Sequence, residues 1–180
     1  DRLLTAGETV RATFTVAPEI RATVKVAPTG FQMTLNLKGL KVEDIVTGDK
    51  VSTNNFGVFA DALTVSIDGA QTFTVKFKAT KAGKLSEMLG VSSRITKSEA
   101  YTAAGRSEVA LRFTGKGVTT ITGLGFELYQ NVPNPFVGKT QIGFHLPEAT
   151  TATFTITDEA GRQVFRQQGD FAKGYNSFML

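Results

Sequence analysis

FTVKFKA, Phe73 to Ala79, sets Phe73, Val75, Phe77 and Ala79 at alternate positions, with Thr74, Lys76 and Lys78 between them. A β-strand turns successive side chains to opposite faces, so this period of two puts the first set against a core and the second in water. The same period runs through most of the chain. Val10, Ala12, Phe14 and Val16 oppose Thr9, Arg11, Thr13 and Thr15. Phe31, Met33, Leu35 and Leu37 share a face in FQMTLNL, as do Leu63, Val65 and Ile67 in LTVSI, which Asp68-Gly69 ends as a turn. RATFTVAP (11–18) is followed by the near copy RATVKVAP (21–28). Two similar strands joined at Ala17-Pro18-Glu19 account for this, because proline ends pairing and presets a turn. One stretch departs. In GKLSEMLG (83–90), Leu85, Met88 and Leu89 fall at helical spacing between glycines, which predicts one or two helical turns. Extended chain resumes through VSSRIT and SEAYT and turns at Ala103-Ala104-Gly105-Arg106. It continues in EVALRF with Val109, Leu111 and Phe113 inward. Short strands separated by turns, with almost no helix, predict an all-β fold of the β-sandwich type.

Composition agrees. A hydrophobic share of 41% supports a packed core, and a charged share of 20% is too low for a disordered tail. With 14 Phe and no Trp, phenylalanine is the expected core filler. The net charge is +4, but Lys and Arg are dispersed. Nucleic-acid binding needs them clustered on one face, so it is not expected. The absence of Cys excludes disulfides and thiolate metal sites without deciding the compartment. No apolar run approaches the ~20 residues that span a bilayer, and no signal peptide opens the chain. Asp1 is not a start residue, and the final SFML resembles the middle of a strand, so a processed or truncated polypeptide is expected.

GKGVTTITGLG (115–125) is rich in Gly and Thr and lacks large aromatics. It predicts a linker between a first domain, 1–114, and a second, small all-β domain, 126–180. The second opens with YQNVPNPF, Tyr129 to Phe136. There Pro133 and Pro135 fix their own φ and push Val132 and Asn134 toward extended geometry. A stiff, extended lead-in is expected, with Asn134 bonding nearby backbone and with Tyr129 and Phe136 buried as anchors.

Reactive chemistry is hard to find. His145 is the only histidine, and in QIGFHL it alternates away from Ile142, Phe144 and Leu146, as a surface residue would. One such histidine makes neither a catalytic triad nor a zinc site. GKT (138–140) follows Pro133 where a P-loop needs glycine and precedes a strand instead of a helix, so phosphate binding is discarded. GLGF (123–126) is linker glycine. In KFKATKAGK (76–84), Lys76 and Lys78 occupy the solvent face of a strand, where charge aids solubility and discourages edge pairing. An anionic surface partner such as lipopolysaccharide is the other use for it. Glu43, Asp44, Asp49, Asp61 and Asp68 are scattered, and no contiguous loop gathers the six to eight oxygens that calcium takes. No catalytic residues, metal or cofactor are expected.

FELYQNVPNPF, TQIGFHLPEA, ATFTITDEAGRQV and GDFAKGYNSFML, in that order, resemble the type A C-terminal sorting domain of cargo carried by the type IX secretion system of Bacteroidota. The resemblance covers about 126–180. It rests on an LYQN-x-PNPF lead, a T-x-I-x-F-x-LP strand, a D-x-x-G-R/K-x-V turn and a G-[YH]-[NH] step. Tyr129, Asn131, Pro133, Asn134, Pro135, Phe136 and Gly161 match its motif. The family continues with two further strands that this chain lacks, so the resemblance implies a sorting domain cut short. FQMTLNL, NNFGVFADALTVSI and the stretch from Phe73 to Tyr101 are similar to the cohesin-like sandwich that often precedes such domains.

The resemblance implies a non-enzymatic part of a secreted cell-surface protein. Its last domain would be captured by a shuttle protein of the type IX translocon and exported across the outer membrane. A sortase-like peptidase would then cut before that domain and attach the cargo to lipopolysaccharide. The linker glycines Gly115, Gly117, Gly123 and Gly125 mark where exposed backbone could enter the protease. The first domain would be a structural or adhesion module. Alternatives are a protein- or carbohydrate-binding adhesin module, or the non-catalytic tail of a larger exported enzyme. Sugar binding calls for exposed aromatics, whereas most Phe here alternate inward.

Overall fold

The structure is a computed structural model that describes residues 1–16, 28–103, 105–115, 118–122 and 125–180. It is all-β, in several antiparallel sheets. The chain forms two compact units, Asp1–Gly123 and Leu124–Leu180.

The first unit runs β1 (Leu3–Leu4), β2 (Thr9–Thr15), β3 (Gly30–Leu37), β4 (Leu40–Val46), β5 (Phe56–Val58), β6 (Ala62–Asp68), β7 (Thr72–Ala79) and β8 (Gly83–Lys84). After the single turn of α1 (Leu85–Met88) come β9 (Leu89–Ser92), β10 (Glu99–Thr102), β11 (Gly105–Glu108), β12 (Leu111–Gly115) and β13 (Val118–Thr122). One sheet has the order β2-β7-β4. The larger has the order β11-β10-β3-β6-β5, with β9 also paired to β3.

Alternation explains why the two sheets face each other. Phe73, Val75, Phe77 and Ala79 of β7 are all buried, as are Leu63, Val65 and Ile67 of β6 and Phe31, Met33, Leu35 and Leu37 of β3. The Phe73 ring stacks on Phe14 of its own sheet at 4.6 Å and meets Phe31 and Phe56 of the larger sheet, each at 5.8 Å. Burying such a ring stabilises the fold by roughly 1.5–3 kcal/mol.

The second face of β3 is covered at its centre by the segment that follows β9. Thr34 is fully buried there. Its Oγ1 donates to the Thr96 carbonyl at 3.0 Å and accepts from the Thr96 amide at 2.9 Å, which pins the 93–98 segment across the sheet.

Several details differ from the sequence reading. The repeat partner of RATFTVAP and its turn at Ala17-Pro18-Glu19 lie outside the described residues, as does Ala104 of the expected turn; β2 pairs with β7. Strand β7 is central, so Lys76 and Lys78 guard no edge; Lys76 pairs with Glu43 at 2.9 Å on the outer face. EVALRF is interrupted at Val109-Ala110, where pairing passes from the β10–β11 hairpin to the β12–β13 hairpin. Within 115–125, Val118–Thr122 is a strand paired to β12 where open linker was expected, because V-T-T-I-T is itself β-branched and strand-forming.

The second unit consists of β14 (Glu127–Leu128), β15 (Gln141–Leu146), β16 (Thr150–Thr157), β17 (Gln163–Phe171) and β18 (Gly174–Met179). The sheet β14-β15-β18 packs on the hairpin β16-β17. Phe144 of β15 is fully buried and touches Phe154, Phe171 and Phe178 at 4.6, 5.0 and 6.4 Å. Phenylalanine fills this core, as the composition predicts, whereas Leu and Val outnumber it among the buried residues of the first unit.

Candidate functional site

The conspicuous construction of the second unit is the loop between β14 and β15. Its base is closed by Val132 and Gln141, which exchange backbone hydrogen bonds of 3.0 and 2.9 Å, and its far side is tied to the β15–β18 ladder, where Thr140 and Leu180 exchange a pair of 3.1 and 2.9 Å. The segment therefore folds back on itself and is not the extended lead-in that its prolines suggest. Both X-Pro bonds, Val132-Pro133 and Asn134-Pro135, are cis.

Three residues fix the loop from within. Asn131 Nδ2 donates to the Pro133 carbonyl and to Thr140 Oγ1, each at 3.0 Å. Thr140 Oγ1, buried to 1% exposure, donates in turn to the Pro133 carbonyl at 2.8 Å. Proline lacks an N–H, so its carbonyl is its only backbone hydrogen-bonding group, and here it is satisfied twice. The backbone bonding expected of Asn134 is thus performed by Asn131. Its partner Thr140, the threonine before the QIGFHL strand, is not legible in the sequence, because nothing in spacing alone joins positions 131 and 140.

Tyr129 anchors the near end. Its amide donates to the Gly143 carbonyl at 2.8 Å, and its ring stacks on Tyr175 at 5.8 Å and 18°. Phe136 does not anchor the far end by burial. It is 42% exposed, and its neighbours on the loop, Val132 and Val137, are 68% and 100% exposed. Asn131, the Pro133 carbonyl and Thr140 bond to one another inside the loop, while Val132, Phe136 and Val137 face outward.

Gly161 serves a different turn. At φ +79° it occupies the left-handed region that favours glycine. This lets Asp158 gather the turn: its Oδ1 accepts from the amides of Ala160 (3.0 Å) and Arg162 (2.9 Å), and its Oδ2 from Arg162 Nε at 2.7 Å. These bonds, the Arg162 amide first and then its guanidinium, hold the Asp158 carboxyl below its ordinary range.

His145 is a correction. It is 1% exposed, with ring Nδ1 2.9 Å from the Gly125 carbonyl. Alternation does set it opposite Phe144, but that face is covered as well, by the chain entering β14 and by Tyr175, its cross-strand partner on β18. Among the expected cleavage glycines, Gly115 pairs with Val118 and Gly125 is exposed, while Gly117 and Gly123 lie outside the described residues. The acidic residues are dispersed. Glu43 pairs with Lys76 and Asp61 with Arg94, and among the described residues no three metal-ligating side chains come together.

No family model matches this chain, and no curated protein or solved structure matches it.

Proposed function

We propose that the chain is part of a secreted cell-surface protein whose second unit is a sorting signal for type IX secretion. The observation that supports this most is the division of labour in the motif. Tyr129, Asn131, Thr140 and Gly161 hold the backbone, while Val132, Phe136 and Val137 present an exposed apolar surface on a loop closed at its base. A surface of that kind suits recognition by shape, because exposed apolar side chains on a fixed backbone gain from being covered by a partner. In this reading the shuttle protein of the translocon docks on the loop and the unit crosses the outer membrane folded. A sortase-like peptidase then cuts in the stretch that ends at Gly125, and the cargo is left on lipopolysaccharide. The first unit is a structural or adhesion module with no catalytic role.

The test joins a fluorescent reporter to Phe126 and all that follows it in the parent gene, in a bacterium that has the type IX system. Reporter on the cell surface supports the proposal; reporter held in the periplasm of cells that export their own cargo refutes it.

A further inference from the structure

The outer face of the larger sheet in the first unit carries a trough of about 280 Å³, lined by Asn54, Asn55, Gly57, Thr64, Ser66 and Thr96 among others, and by no charged side chain. Its rim is built. Asn55 is locked, since its Nδ2 donates to the Ser66 carbonyl and its Oδ1 accepts from the Ser52 amide, both at 2.8 Å. Thr96 is fixed by the two backbone bonds to buried Thr34, the cross-strand neighbour of Thr64. The Asn54 amide and the Ser66 and Thr96 hydroxyls are engaged by no hydrogen bond among the described residues and remain available.

Beside these groups stands an aromatic ring. Phe59 is 48% exposed, and its ring edge lies over Gly57, 3.2 Å from where a Cβ on that residue would sit. The same Cβ would stand 2.5 Å from Thr64 Oγ1, so glycine is what lets ring and floor meet. An exposed apolar ring next to neutral donors and acceptors matches the two-sided character of a pyranose, which has a C–H face and a rim of hydroxyls. Amides and hydroxyls both donate and accept, as sugar hydroxyls do. A charged ligand would find no countercharge here.

We propose that this trough is a subsite for one neutral sugar residue of a glycan chain. Phe59 carries the apolar face of the pyranose, and Asn54, Ser66 and Thr96 exchange hydrogen bonds with its hydroxyls. The inference concerns the first unit and stands or falls separately from the sorting role.

The test is an amide-NMR titration of the full chain with cello-, manno-, malto- and xylo-hexaose, and with hexagalacturonate as the anionic comparator. At least one neutral oligosaccharide should move the Asn54, Gly57, Thr64, Ser66 and Thr96 resonances. Phe59→Ala should weaken it about tenfold, and Phe59→Tyr, which keeps the ring, should not. The proposal is overturned if no neutral hexaose moves those resonances at millimolar concentration. It is equally overturned if hexagalacturonate moves them with the same affinity, or if Phe59→Ala binds as tightly as the unaltered chain.

Discussion

Tyr175 lies across Gly143 so closely that its hydroxyl is 2.6 Å from where a Cβ on residue 143 would be, with two ring carbons at 3.2 Å. The glycine in QIGFHL is therefore the floor on which the Tyr129–Tyr175 stack rests. Gly143→Ala should displace Tyr175 and destabilise the second unit by about 1–3 kcal/mol. In urea unfolding, adding Tyr175→Ala should recover part of that loss. Additive losses would mean that the two side chains do not compete for this space.

The Asn131 amide joins Pro133 to Thr140. Asn131→Ala removes these two hydrogen bonds and the exposed one that Asn131 Oδ1 accepts from Gln130 Nε2, and should cost about 1–2 kcal/mol. Hydrogen exchange should show faster opening of the amides that close the loop, Val132 and Gln141, while the β16–β17 amides keep their protection. Uniform loss of protection across the unit would contradict the view that Asn131 acts locally on the loop.

Phe144 has no exposed surface and touches three other rings. Phe144→Ala should destabilise the second unit by about 3–5 kcal/mol, transfer and cavity terms together. A thermal melt of the variant reads this directly. A change below about 1 kcal/mol would show that the sandwich does not depend on its phenylalanine cluster.

The Asp158 carboxyl is held below its ordinary range by the Arg162 amide and guanidinium and by the Ala160 amide. A depressed folded pKa contributes stability that is present above the unfolded value, about 3.9, and lost as pH falls through the folded value. The turn at Gly161 should therefore hold at neutral pH and weaken only in acid below that range. Asp158→Asn should remove this part of the acid dependence. An Asp158 titration at the ordinary value, followed by NMR, would contradict the geometry of the turn.

Much of this fold is legible in the sequence, because strand alternation reports burial directly. FTVKFKA, LTVSI and FQMTLNL each place their apolar face in the core of the first unit. What alternation cannot report is a second covering. His145 and Thr34 lie on faces expected to be wet, and each is buried by a segment distant in sequence. The loop is legible only in composition. Pro133 and Pro135 announce rigidity, but its direction depends on pairing between Val132 and Gln141 and between Thr140 and Leu180. The trough is not legible in the sequence, because nothing in the spacing of Phe59, the residue after β5, shows that its ring stands half in water.

The central claim is that the exposed apolar side chains of the loop, and not a reactive group, are what the transport machinery reads. The most direct measurement pairs surface display of the reporter with the unfolding free energy of the unit, for Phe136→Ser with Val137→Ser. The account predicts that display falls far more than the measured loss of stability explains, with the folded reporter accumulating in the periplasm. Display that stays at the unaltered level, or that falls only in step with stability, would contradict it.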